Sequence, residues 1–296
     1  MPMRWAIISG VYNVADLAAE FSRYHLGLGA DKIFVADYGS DDGTHERLAP
    51  FVREGRVELV PLPTHHFANY DPSNEILATI RKRNVADWVS FLDPDEFLTG
   101  PENLKDVLAE EFSRGGDTIR VPRYNLTGIG PVAGDTHYLT HLTLKVVTTD
   151  VRVSDPSAPL SSPWIFSRLP GKVMIRTRSS LTTMTGDHNV VGATQALRES
   201  SVLEILHLPM RGYEAFREKI ERGIGYFAKN PDLHPNIGWH WKRWIELFQS
   251  GRLREEYKKQ FPQAAAAAAL LAEGRVVPER RLADWWTNDA GCGSYL

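Results

Sequence analysis

Short apolar runs alternate with amphipathic segments through the first third of the chain. Apolar runs over residues 5–9, 32–36, 57–61 and 88–92 have the length and composition of buried β-strands. Between them, residues 13–28 carry apolar side chains at steps of three and four, and residues 46–53 and 73–84 are also expected to be helical. Asn13 or Asp16 is a candidate N-cap of the first helix. The alternation predicts an α/β fold with a central, mostly parallel sheet covered by helices.

The remainder of the chain is predicted to be rich in strands at first and helical afterwards. Candidate strands over residues 118–122, 141–147, 172–176 and 202–207 mark a strand-rich middle. From residue 213 onward the pattern favours helices, which we predict over residues 213–227, 239–250 and 253–274. The sequence therefore predicts a first domain over residues 1–225 and a helical C-terminal extension over residues 226–296.

Composition excludes several classes of protein. The chain has 34 Lys and Arg against 37 Asp and Glu, a formal net charge of -3, which gives no reason to expect nucleic acid or an anionic membrane as a partner. The single cysteine, Cys292, excludes an intramolecular disulfide and a multi-cysteine zinc site. No apolar run approaches the ~20 residues that span a bilayer, so we predict no transmembrane segment and a cytoplasmic protein.

Two acidic loops follow predicted strands. One begins at Asp37 after the second strand, and the other is Asp93-Pro94-Asp95-Glu96 after the fourth. Because the carboxyl ends of parallel strands meet at one edge of a sheet, we expect both loops at that edge. Carboxylates two residues apart suit Mg²⁺ or Mn²⁺, which prefer oxygen ligands and are commonly shared with substrate phosphates. The alternative is an acidic turn that only closes a strand.

Several segments, in the right order, carry a resemblance to a known family. The chain resembles family 2-type glycosyltransferases with the GT-A fold, in the subgroup marked by Asp-x-Asp-Glu-Phe. The matching segments are Asn13 with Tyr24-His25 and Gly29, then Asp37, Ser40 and Asp42, then residues 86–97, Lys172 with Arg176, His188, and residues 207–223. The sequence departs from the family pattern at Val14, Pro94 and Gly212, which puts donor choice and loop geometry in question.

The resemblance implies an activity and a set of binding residues. It implies a Rossmann-like GT-A domain that moves a sugar from a nucleoside-diphosphate donor to the hydroxyl of a carbohydrate or small-molecule acceptor, with a divalent metal, Mn²⁺ or Mg²⁺, as cofactor. The metal ligands would be Asp93, Asp95 and His207. Donor binding would fall to Asn13, Asp37, Asp93, Lys172, Arg211, Lys219 and Arg222. For Lys219 and Arg222 the solvated face of a helix is the competing interpretation, and for His207 a structural histidine at a strand end.

An inverting transferase needs one general base on the acceptor side. Gly186-Asp187-His188-Asn189 is the favoured segment, since glycine and asparagine favour a loop and two titratable groups adjoin there. We expect Asp187 to be the base, with His188 second. Glu96 is an alternative, although it could instead orient the metal-binding loop. The residues alone leave inversion and retention open.

The tryptophans have a structural interpretation, and two other functions are alternatives to sugar transfer. Trp239, Trp241 and Trp244 favour core packing or a homodimer interface over a platform for the acceptor. A nucleotidyl- or phosphotransferase could use the same carboxylates, but residues 9–16 hold one glycine and no lysine, unlike a phosphate-binding loop. A non-catalytic protein that binds nucleotide sugars is the third possibility. The sugar, the nucleobase and the acceptor stay open.

Overall fold

The computed structural model describes residues 3–62, 71–101, 104–113, 116–134, 136–149, 162–194, 196–232 and 238–290, so Cys292 lies outside the described residues. The chain divides into two compact units. Unit 1 comprises Met1–Arg123 and Pro170–Leu206, and unit 2 comprises Tyr124–Leu169 and His207–Leu296. This division differs from the predicted boundary after residue 225, because residues 226–296 group with two earlier segments.

Strands and helices alternate at first and separate later. The strands are β1 (Trp5–Val11), β2 (Lys32–Asp37), β3 (Val57–Pro61), β4 (Trp88–Phe91), β5 (Glu96–Thr99), β6 (Thr118–Val121), β7 (Arg123–Thr127), β8 (Leu144–Val146), β9 (Lys172–Arg176), β10 (Thr182–Thr183), β11 (Val190–Val191), β12 (Glu204–His207) and β13 (Val276–Pro278). The helices are α1 (Ala18–Gly27), α2 (Thr44–Arg53), α3 (Ser73–Arg83), α4 (Leu104–Ser113), α5 (Tyr138–His141), α6 (Tyr213–Lys229), α7 (Trp239–Gln249), α8 (Leu253–Lys259), α9 (Ala264–Ala272) and α10 (Arg281–Ala290), with a 3-10 turn at Trp164–Phe166.

A six-stranded sheet in the order β3-β2-β1-β4-β9-β6 forms the centre of unit 1. Strands β1 to β4 are mutually parallel, and β9 runs antiparallel to both of its neighbours. The prediction of an α/β fold with a central, mostly parallel sheet is therefore confirmed. The carboxyl ends of β1, β2, β4 and β6 lie at one edge, together with the beginning of β9.

The sheet is held by a core that the apolar runs supply. Phe34, Val89 and Phe91 are at most 1% exposed, and Leu77 and Ile80 of α3 pack in the same cluster. Each such side chain contributes about 1.5–3 kcal/mol on burial. These residues alternate along their strands with others that face the opposite side of the sheet, such as Ile7 and Ile33, which are also fully buried, so both faces of the sheet bury apolar side chains.

Three predicted elements differ from the structure. Helix α1 begins at Ala18 rather than residue 13, and its N-cap position, Leu17, has no side-chain cap, so neither Asn13 nor Asp16 caps it. The predicted helix over residues 253–274 is split into α8 and α9, since Pro262 lies between them and cannot continue a helix. The predicted strand over residues 141–147 is shortened to β8, because residues up to His141 form α5.

Unit 2 contains an aromatic core on α6 and α7. Trp244 is 4% exposed, and its ring lies 5.0 Å from Trp164 and 4.9 Å from Phe216, centroid to centroid. Trp241 packs over Gly223, where a Cβ would lie 2.6 Å from the indole. Core packing is thus confirmed for Trp244, whereas Trp241 is half-buried. The helices in the described part of the chain are all too short or too polar to cross a bilayer.

His25 connects α1 to β5 inside unit 1. Its ring is fully buried, Nδ1 donates to the carbonyl of Phe21 (2.9 Å), and Nε2 accepts the backbone N–H of Leu98 (3.1 Å). The imidazole also stacks on Phe97, with centroids 5.7 Å apart. Burial lowers the pKa of His25 from 6.5 to about 3. The ring therefore holds the strand that follows the second acidic loop, and it does so in its neutral form.

This neutral histidine predicts a pH dependence of stability. Below pH 6.5 the unfolded chain protonates His25 while the folded chain does not, so stability falls by about 1.4 kcal/mol per pH unit until the folded pKa is reached. In urea titrations between pH 7 and 5, His25→Gln should lose about 2 kcal/mol less than the wild type. Parallel stability profiles of the two proteins would contradict the assignment.

Candidate active site

The acidic residues of the second loop lie at the carboxyl edge of the sheet with two basic side chains. Asp93 and Asp95 follow β4, Arg123 follows β6, and Lys172 begins the antiparallel β9, which runs back from this edge. Asp187 joins them, because its carbonyl accepts the backbone N–H of Val173 (2.9 Å). The topology thus brings together residues that are nearly a hundred positions apart in sequence.

Glu96 holds the loop Asp93-Pro94-Asp95 in a closed turn. The backbone N–H of Asp93 donates to Glu96 Oε2 (3.0 Å), and the backbone N–H of Glu96 donates to the carbonyl of Asp93 (2.9 Å). Glu96 is fully buried, and its Oε1 pairs with Arg123. Burial raises the pKa of Glu96 although the Lys172 ammonium opposes it. Its oxygens are used within the protein, which favours the orienting role over that of a base.

Lys172 is the central cation of this group. It is 2% exposed, and its Nζ lies 3.1 Å from Asp93 Oδ2 and 3.7 Å from Glu96 Oε2. Desolvation acts to lower the pKa of Lys172, but the carboxylates of Asp93, Glu96 and Asp187 outweigh it and raise the pKa. Desolvation also acts to raise the pKa of Asp93, yet Lys172 reverses the sign and lowers it. The ammonium therefore keeps Asp93 ionised.

The first acidic loop is bound to the end of β1. The Asp37 carboxylate accepts the Ser40 hydroxyl (2.6 Å) and lies 2.7 Å from Nε2 of His45. Asn13, at φ 53, accepts the backbone N–H of Asp41 (2.9 Å) and donates to its carboxylate (2.8 Å). The structure therefore gives Asn13 a loop-holding contact and gives Asp37 two local partners. Their predicted roles in donor binding stay predictions.

Asp187 lies in the turn that connects β10 to β11. The backbone at Gly186 and Asp187 has φ values of 81 and 58, a left-handed conformation that aspartate tolerates better than most residues. The Asp187 N–H donates to the carbonyl of Met184 (2.8 Å), and Thr183 Oγ1 donates to Asp187 Oδ1 (2.9 Å). Desolvation raises the pKa of Asp187 to about 7, against the effect of Lys172. A base with this pKa is matched to neutral pH.

His188 is a weak base in this environment. Its Nδ1 donates to the carbonyl of Gly171 (2.9 Å), and its own carbonyl accepts from Arg120 (3.2 Å). Desolvation, with Lys172 and Arg123, lowers the pKa of His188 to about 4. Gly171 also allows the backbone of β6 to approach closely, because a Cβ there would lie 2.4 Å from the carbonyl oxygen of Val121. Of the three predicted bases, Asp187 has the pKa that best suits a general base at neutral pH.

The remaining predicted residues belong to unit 2. His207 is 7% exposed, and its Nδ1 donates to Oδ1 of Asn125 (2.7 Å), whose amide nitrogen donates to the carbonyl of Ile165 (2.8 Å). In the neutral form of the ring, this bond places the proton on Nδ1. Arg211 is buried. Lys219 lies over the ring of Trp241, 5.6 Å from its centroid, and Arg222 follows on the same helix. Their predicted functions are untested by these contacts.

Within the described ranges, no three or more His, Cys, Asp or Glu side chains are arranged to hold a metal ion. The predicted set of Asp93, Asp95 and His207 therefore stays a prediction. Sequence reasoning did not identify Arg123, His45 or Thr183. Arg123 could have been found from its place directly after a predicted strand, whereas the other two carry no sequence signal.

Comparison with solved structures gives low similarity. Staphylococcus aureus TarS 1-349 in complex with UDP-GlcNAc is 15% identical, with 88% of this chain and 82% of that chain covered and a TM-score of 0.44. The mannosyltransferase PcManGT from Pyrobaculum calidifontis, in complex with GDP-Man and Mn²⁺, is 16% identical, with 100% and 81% covered and a TM-score of 0.40.

Sequence relatives and a family model give the family. A glycosyltransferase family 92 protein of Ricinus communis is 22% identical over 251 residues, 80% of this chain and 41% of that protein. One of Oryza sativa subsp. japonica is 34% identical over 101 residues, 32% and 16% respectively. The chain spans less than half the length of these curated relatives. The model of glycosyltransferase family 92 matches residues 7–186, more than half of the chain.

The family match refines the resemblance found in the sequence. Membership of a glycosyltransferase family is confirmed, and the matching model is that of family 92 rather than family 2. The Asp-x-Asp-Glu-Phe subgroup stays a prediction. Residues 7–186 include both acidic loops, Glu96, Arg123 and Lys172, so the matched region contains most of the site described above. The chain belongs to glycosyltransferase family 92.

Proposed function

We propose that the chain transfers a sugar from a nucleoside-diphosphate donor to an acceptor hydroxyl, with inversion and with the help of a divalent metal. The observation that carries the proposal is the group at the carboxyl edge of the sheet, where Asp93 and Asp95 lie with Lys172 and where Asp187 has a pKa of about 7. Membership of the glycosyltransferase family supports it.

The carboxylates fit a hard divalent cation. Asp93 has a side chain that is 51% exposed although Lys172 contacts one of its oxygens, and Asp95 follows two residues later in the turn that Glu96 closes. One or two carboxylates completed by substrate phosphates is the usual arrangement for Mg²⁺. Bound there, the metal would stabilise the diphosphate leaving group as a Lewis acid. Asp93 and Asp95 would hold it, and Lys172 would add positive charge beside them.

Asp187 supplies the proton acceptor. An acceptor hydroxyl must lose its proton as it attacks the anomeric carbon, and a carboxylate with a pKa near 7 is both ionised and basic enough at neutral pH. The transferred proton would reside on an Asp187 carboxylate oxygen. The acceptor is a carbohydrate or small molecule with a free hydroxyl, and a homodimer stays a prediction.

Calorimetry tests the linked binding of donor and metal. Because no group of three ligating side chains is arranged to hold a metal ion among the described residues, we expect Mn²⁺ to bind weakly alone and at least about tenfold more tightly with a nucleoside diphosphate present. The titrations use UDP, GDP and dTDP with and without Mn²⁺. The control is the same titration with EDTA, which removes divalent metal ions. If none of the three binds under either condition, the proposal is wrong.

A further inference from the structure

A threonine inside the β10–β11 hairpin contacts the proposed base directly. The Thr183 hydroxyl donates to Asp187 Oδ1 (2.9 Å), and the side chain is 4% exposed. The carbonyls of Met184 (3.1 Å) and Asn189 (3.4 Å) are also within reach of this hydroxyl. A hydroxyl has one proton, and the carboxylate is both the nearest and the charged acceptor, so it takes the stronger bond.

Asn74 on α3 fixes this threonine in turn. Its side-chain nitrogen donates to the Thr183 carbonyl (2.9 Å), and its side-chain oxygen accepts the Thr183 backbone N–H (2.9 Å). This pair of bonds imitates the pairing between two strands. Helix α3 is itself anchored in the core of unit 1 through Leu77 and Ile80, both fully buried. The hairpin is therefore tied to a rigid element at the residue that holds the carboxylate.

We propose that Asn74 and Thr183 are positioning residues for Asp187: the helix fixes the threonine, and the threonine hydroxyl aims the carboxylate and stabilises its ionised form. The inference rests on the proposed function, in which Asp187 is the base. Neither residue would touch the donor or the acceptor. Backbone contacts alone place the Asp187 Cα, whereas the hydroxyl selects the orientation of its side chain.

The charged groups around Asp187 set the sign of the expected effect. Lys172 stabilises the carboxylate, while Asp71 and Asp93 oppose its ionisation, and the Thr183 hydroxyl acts with Lys172. Removing the hydroxyl leaves the other three groups in place. The pKa of Asp187 should then rise above about 7, and the acid limb of the pH–rate profile should move upward by roughly one pH unit.

Matched hairpin variants test the inference. The probe is release of nucleoside diphosphate from UDP-glucose, UDP-GlcNAc and GDP-mannose with Mg²⁺, followed from pH 5 to pH 9. Thr183→Val removes the hydroxyl and keeps the shape. For a shift of one unit we expect turnover about fivefold lower at pH 7, where the wild-type carboxyl group is half ionised, and about tenfold lower at pH 5. Thr183→Ser should follow the wild type. So should Thr182→Val, since successive side chains of a strand face opposite sides.

The outcomes separate the inference from the function on which it rests. A Thr183→Val profile that superimposes on the wild type overturns the positioning role. If Asp187→Asn keeps wild-type turnover, the proposed base is wrong, whatever Thr183→Val does. If Asp187→Asn loses turnover and Thr183→Val does not shift the profile, only the positioning role is lost. Near-UV circular dichroism checks folding, and Thr183→Ala provides the same readout if the valine variant does not fold.

Discussion

Replacing Asp187 with asparagine is expected to lower the turnover of the donor about 10²–10⁴-fold, the usual contribution of a general base. The amide keeps the shape of the carboxylate and can still accept the Thr183 hydrogen bond, but it cannot take up the proton of the attacking hydroxyl. Affinity for the nucleoside diphosphate should stay close to that of the wild type, because the base acts on the acceptor side. The measurement is kcat for release of nucleoside diphosphate, with Kd from calorimetry.

The same variant should be more stable than the wild type at alkaline pH. The folded pKa of Asp187 is raised to about 7 from an ordinary value of 3.8, so its favourable contribution is complete below about pH 4 and is lost as the pH rises through 7. An asparagine has no such loss, and we expect Asp187→Asn to gain about 1–3 kcal/mol at pH 8. A variant that loses activity and stability together would contradict the assignment.

Replacing Asp95 with asparagine is expected to remove most of the metal dependence. Asp95 is 4% exposed, so the isosteric amide preserves packing while one negative ligand is lost. Several kcal/mol of transition-state stabilisation by the metal corresponds to a loss on the order of 10²–10³ in kcat. The affinity of nucleoside diphosphate in the presence of Mn²⁺ should fall at least about tenfold, whereas the affinity without metal should change little.

Asp106→Asn is the matched control for Asp95→Asn. Asp106 lies exposed in the first turn of α4, so the substitution removes the same charge outside the site. It should leave both turnover and metal-dependent affinity at the wild-type level. Equal losses in the two variants would show that net charge, and not ligation, is responsible. Unchanged metal dependence in Asp95→Asn would exclude Asp95 as a ligand.

The sequence predicts the edge of the sheet well because strand ends are local features. The apolar runs locate β1 to β4 within a residue or two at each end, and the turn-forming residues after them locate Asp37 and Asp93. Parallel pairing then brings both loops to one edge without further information. The position of Asp187 in a turn is also predictable, since glycine at position 186 favours a turn.

The charge balance within the site is not predictable in this way. Lys172 is expected from the sequence to meet a diphosphate, yet the structure buries it against Asp93 and Glu96, because an antiparallel strand from a distant part of the chain begins at this edge. Periodicity contains no information about which strand enters a sheet from far away. The same limit explains why Arg123 and Thr183 are found only in the folded chain.

Loop conformation is the other unpredictable element. Asn13 has the residue type of an N-cap, but its backbone adopts φ 53 and its side chain binds Asp41. Both arrangements satisfy the polar groups of an asparagine, and only the position of the neighbouring strand end decides between them. The division into two units is also not predictable from local patterns, because the chain crosses from one unit to the other after residues 123, 169 and 206.

The central claim is a metal-dependent transfer of a sugar with inversion, and proton NMR of donor hydrolysis tests it most directly. UDP-α-D-glucose, UDP-α-D-GlcNAc and GDP-α-D-mannose are followed with Mg²⁺, where water replaces the acceptor. The account predicts that at least one donor releases nucleoside diphosphate and the β-anomer of its sugar first, and that EDTA abolishes the reaction. Intact donors throughout, release of a sugar phosphate, an α-anomer first, or turnover that EDTA leaves unchanged would each contradict it.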